Sequence, residues 1–153
     1  MGDWATGIEA IVLSGCVAGV LDISATGTLM RAQGMQFRKL LQFVASGALG
    51  PAAALEGGTR TAGIGLLLHF LIAATWSIIY YAASRSWPVL TERPMFCGIL
   101  YGVTVHLVMT GVVVPLSRVL KRTFSMKAFL TQLVVHIVCV GLPIALVQSY
   151  SLR

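Results

Sequence analysis

AIVLSGCVAGVLDISATGTLM, residues 10–30, decides the class of this chain, because it contains a single charged residue, Asp22. Coiled as a helix at about 1.5 Å per residue, it is long enough to cross a hydrocarbon core about 30 Å thick. Residues 61–84, 95–117 and 128–152 are comparably long and contain no Asp, Glu, Lys or Arg. The expected fold is therefore an all-α integral membrane protein. It is a four-transmembrane-helix bundle forming one domain over residues 1–153 and packed against the lipid bilayer.

Of the 153 residues, 57% are hydrophobic and 10% charged, which leaves no room beside four spans for a soluble catalytic domain. The first Lys or Arg is Arg31, after the first apolar stretch. A signal peptide needs a basic region before its apolar core, so the first span is expected to remain in the mature chain. A net charge of +6 in a soluble protein would suggest nucleic acid. Here the basic residues flank the spans, where they set orientation, and no nucleic-acid partner is expected.

Arg31, Arg38, Lys39, Arg60, Arg118, Lys121, Arg122 and Lys127 lie in the connections after the first and third spans, against Arg85, Arg93 and Arg153 on the other side. By the positive-inside rule the two basic connections are cytoplasmic and both termini lie outside. Cys16, Cys97 and Cys139 stand singly on different spans, matching neither a metal motif nor a disulfide framework, and read as small packing residues.

The long connection, residues 31–60, has structure of its own. Phe37, Leu40, Leu41 and Val44 recur at helical spacing, with Arg38, Lys39 and Gln42 between them. This predicts a short amphipathic helix over about 36–46, its apolar face in lipid and Arg38 and Gln42 in water. The Gly-rich segment 46–58 is too short to span and reads as an interfacial or re-entrant loop. Tyr80, Tyr81 and Trp87 suggest an aromatic belt at the outer interface, and Pro115 and Pro143 predict kinks in the last two spans. No internal repeat supports an inverted-repeat transporter.

Small and polar residues recur on one face of every span: Gly15, Gly19, Asp22 and Thr26; Gly65, His69 and Ala73; Gly98, Gly102, His106 and Thr110; Gln132, His136, Cys139 and Pro143. Gly15, Gly19, Gly65, Gly98 and Gly102 are expected to be helix-packing positions, because membrane helices associate through close backbone approach and cross-helix hydrogen bonds. Asp22, His69 and His136 each lie nine residues from the nearest basic residue on the cytoplasmic side, about 14 Å along a helix. His106 lies twelve residues from Arg118, somewhat deeper.

Ionisable groups at mid-membrane are costly and face protein or water. The expected polar seam is therefore Asp22, Thr26, His69, His106, Gln132 and His136. It has three readings: cross-helix hydrogen bonds that fix the bundle, a path or site for protons or polar solutes, or a redox centre holding haem or a transition metal. In the last, the candidate ligands are His69, His106, His136 and Asp22. No nucleophile, base and oxyanion donors converge, so a non-enzymatic role without cofactor is expected. A place in a larger membrane complex or a homo-oligomer is compatible with this composition.

Several short motifs carry a resemblance. They are Leu41-Gln42, Ala45-Ser46-Gly47, Leu49-Gly50, Gly57-Gly58, Gly65 with His69-Phe70, and Tyr80-Tyr81, followed by Gly98 with Tyr101-Gly102, Val114-Pro115-Leu116-Ser117, and His136 with Gly141-Leu142-Pro143. In this order the chain resembles bacterial inner-membrane proteins of the YagU type, a family of unknown biochemical function. The resemblance implies a small multi-span bacterial inner-membrane protein, supplies no catalytic residues and makes His69 with His136 the safer ligand pair.

Overall fold

Glycine decides how closely the spans approach. In the computed structural model, which describes residues 3–120 and 124–152, the chain forms α1 (Asp3–Ala32), α2 (Phe37–Leu49), α3 (Pro51–Glu56), α4 (Gly58–Ser86), α5 (Val89–Glu92), α6 (Pro94–Leu116) and α7 (Met126–Ser151). Four of these, α1, α4, α6 and α7, are long and apolar enough to cross a membrane. Gly98 and Gly102 on α6 meet Gly141 on α7 backbone to backbone. A Cβ on Gly98 would stand 3.0 Å from Leu142 Cα, and one on Gly141 would collide with the Gly98 carbonyl and the Gly102 backbone.

The contacts order the spans as α4, α1, α7, α6. α1 packs on both α4 and α7, and α6 packs on α7, while α4 and α6 hardly touch at the backbone level. Side chains fill the gap between them. At one end Tyr101 Oη donates to the Trp76 carbonyl at 2.5 Å, and the Tyr80 and Tyr101 rings meet edge to face at 4.8 Å. Ala18, Val105, Val140, Ile144 and Ala145 complete this core. On the outside, Val12, Leu67, Leu107 and Val138 are exposed, as a lipid-facing surface requires.

Both prolines are accommodated by a wider helical turn. Pro115 and Pro143 have no N–H for the carbonyls of Gly111 and Cys139, and each of those residues lies in a π-helical stretch, Met109–Val113 and His136–Gly141. Neither helix is broken, and the irregularity expected from the sequence takes this form.

Two expectations need correction. α2 turns its apolar face onto the bundle, not into lipid: Leu40 packs with Ile23 and Ala62, and the Leu41 carbonyl sits where a Cβ on Gly65 would stand. Gln42 is buried, 3% exposed, because its amide donates to the Leu55 and Gly58 carbonyls at 3.3 and 3.1 Å. Three carbonyls around Gly57-Gly58, those of Ala54, Leu55 and Gly58, need donors, and Gln42 and Thr61 supply them; the Thr61 hydroxyl donates to Ala54 at 2.6 Å. Gly50, at φ +85°, ends α2 and turns the chain into α3, where Pro51 occupies the first turn. Nor does Tyr80 belong to an interfacial belt. It is 1% exposed and donates to the Leu90 carbonyl at 2.8 Å, whereas Trp87 is exposed.

Candidate functional site

Where α4 and α6 stand apart, opposite the aromatic end, lies a cavity of about 340 Å³. Every span contributes a polar group to its wall: Asp22 and Thr26 from α1, His69 from α4, Thr110 from α6, and Gln132 and His136 from α7. The rest is apolar, including Trp76, Met109, Val114 and Met30. α2 closes the end with Leu40, Phe43 and Val44, and the Arg118 N–H ties it across to α6 by donating to the Gly47 carbonyl at 3.0 Å.

Asp22 and His69 face each other in the cavity wall, with 15% and 12% of their side chains accessible. His69 Nε2 lies 2.9 Å from the Gly19 carbonyl, which can only accept, so Nε2 carries the hydrogen. Nδ1 is then the nitrogen that faces Asp22 Oδ2, across 4.0 Å. That separation is too long for a direct hydrogen bond, and Asp22 Oδ1 has no hydrogen-bond partner among the described residues. A carboxylate at this depth costs about 2.5 to 3.5 kcal/mol, while a cross-helix hydrogen bond returns about 0.6 kcal/mol. An ionised Asp22 would therefore not add to the stability of the bundle.

His136 also reaches the cavity, backed by His106. Their Nδ1 atoms are 3.0 Å apart, so one ring donates and the other accepts. His106 is fully buried, its ring edge against Phe129 at 4.5 Å and its Nε2 unpartnered. Gln132 Nε2 donates to Thr26 Oγ1 at 3.1 Å, and Thr110 Oγ1 to the His106 carbonyl at 2.7 Å. The four ionisable groups are thus arranged as two pairs. Among the described residues no three His, Cys, Asp or Glu side chains gather as a ligand set, so the single metal shell drawn from all four is not formed.

The packing glycines stand at contacts between elements. Gly15 faces Ala74 on α4, with 3.3 Å from a notional Cβ to Ala74 Cα, and Gly19 faces Phe70 and Ala73. Gly65 takes α2, while Gly98 and Gly102 take α7.

A second polar cluster escaped the sequence reading. Ser14, Ser77 and Gln148 are all fully buried near the opposite end of the spans. The two serine hydroxyls lie 2.7 Å apart, and Gln148 Nε2 approaches Ser14 Oγ, Ser77 Oγ and the Ser77 carbonyl at 3.1, 3.1 and 2.9 Å. Its signal was an amide inside an uncharged span, a group that does not stay buried without partners. No protein-family model, curated protein or solved structure matches this chain.

Proposed function

We propose that this small four-span protein is a non-enzymatic bundle that binds a polar or protonatable solute within the membrane, at the cavity between α4 and α6. The observation that carries this reading is the convergence of polar groups from all four spans on one space large enough for water or a small molecule. A bundle held together only by cross-helix hydrogen bonds would satisfy Asp22; instead Asp22 Oδ1 is left without a partner. The basic connections support an orientation with α2 and the cavity's closed end in the cytoplasm and both termini outside. The motifs shared with YagU-like proteins support a bacterial inner membrane as the compartment.

The reading is tested by replacing Cys16, Cys97 and Cys139 with alanine and introducing single cysteines at Thr26 or Gln132 in the cavity and at Leu67 or Val138 on the outer face. The cavity positions should react with a hydrophilic methanethiosulfonate reagent, and the outer positions should not. Equal inertness at all four would leave no water-reachable solute site.

A further inference from the structure

The polar groups of the cavity are not evenly divided between donors and acceptors. The His69 Nε2 hydrogen is spent on Gly19, the Thr110 hydroxyl on His106, and a Gln132 N–H on Thr26. The second Gln132 N–H and the Thr26 hydroxyl hydrogen stay free, but the two atoms that face each other beside Asp22, its Oδ2 and His69 Nδ1 across 4.0 Å, both accept. A carbonyl-bearing or anionic solute would meet lone pairs and a negative charge there. A solute that donates several hydrogens would satisfy them.

Building on the solute-binding reading above, we propose that the occupant is a lipophilic amine, its ammonium group held between Asp22 and His69 and its apolar body lying in the gap between α4 and α6. Asp22 Oδ2 and His69 Nδ1 are 4.0 Å apart. One nitrogen can stand about 2.8 to 2.9 Å from each, the length of a charge-assisted hydrogen bond. An ammonium carries three hydrogens, enough for both acceptors at once, and with the Asp22 carboxylate it forms a net-neutral, charge-assisted pair. Trp76 supplies an aromatic wall, and Met30 and Met109 supply flexible thioethers that adapt to the body of the solute. Water can bridge the same 4.0 Å, but it leaves the charge uncompensated.

The test uses the full chain in lipid nanodiscs, titrated with 3-phenylpropylamine, 3-phenylpropanol and 3-phenylpropanoate, and read by tryptophan fluorescence with Trp4 and Trp87 replaced by phenylalanine so that Trp76 reports alone. The amine should bind about tenfold or more tightly than the alcohol, and the carboxylate should not bind. Asp22→Asn should remove the preference for the amine over the alcohol. Equal affinity for amine and alcohol in the unsubstituted Asp22 protein would overturn the amine assignment whatever the variant does. Reactive cavity cysteines together with that equality would still support a solute site; inert cysteines and no binding of any probe would remove both.

Discussion

Asp22 is the residue whose energetics separate a functional group from a structural one. Its carboxylate has one unpartnered oxygen and one long approach to His69. Asp22→Asn should therefore leave the thermal stability of the detergent-solubilised bundle unchanged or raise it, by up to about 2 kcal/mol, because it removes a poorly compensated charge. A clear loss of stability would mean that Asp22 is structural glue. His69→Gln has the opposite sign. It weakens the bond to the Gly19 carbonyl and should cost about 0.5 to 2 kcal/mol in the same unfolding measurement. The sequence made this pair legible through depth alone, since nine residues to Arg31 and nine to Arg60 put both at one level. The choice of the His69 nitrogen that faces Asp22 was not legible, because it depends on a backbone carbonyl fifty residues away.

Among the elements, the α6–α7 crossing sets the tolerance of the fold. Gly141→Ala would push a methyl group against backbone atoms of Gly98 and Gly102, where no side chain can swing aside. The expected cost is about 1 to 3 kcal/mol, seen as a lower midpoint of unfolding. Gly111→Ala, which meets nothing within 4 Å, should be silent by comparison. Equal effects would show that the crossing is looser than described. The length and apolar composition of all four spans were readable from sequence, but the facing of α7 was not. His136 and Gln148 are twelve residues apart, about 120° out of phase on a regular α-helix. The π-helical stretch His136–Gly141 adds one residue to a turn and brings the offset down to about 20°, so both point inward. A period of 3.6 applied to the sequence hides that correction. Gln42 was misplaced for a similar reason: local amphipathicity says nothing about carbonyls supplied by a turn in another segment.

For the molecule as a whole, the asymmetry of basic residues predicts orientation. Reporter fusions after Leu90 should read as periplasmic and fusions after Leu120 as cytoplasmic; the reverse pattern would invert the assignment. The two ends of the bundle differ in a further way. Ser14, Ser77 and Gln148 tie α1, α4 and α7 together at one end, while the same three helices border empty volume at the other. On the proposed solute-binding reading the bundle would work as a pair of tongs, with a pivot at the serines and jaws at the cavity that the His69–Gly19 and Gln132–Thr26 hydrogen bonds hold together. From Ser14 to Met30 along α1 is about 24 Å, so a tilt of about 5° at the pivot moves the jaw by about 2 Å. Under the proposed function, such leverage would let a solute be gripped or released with little change in how the pivot is packed.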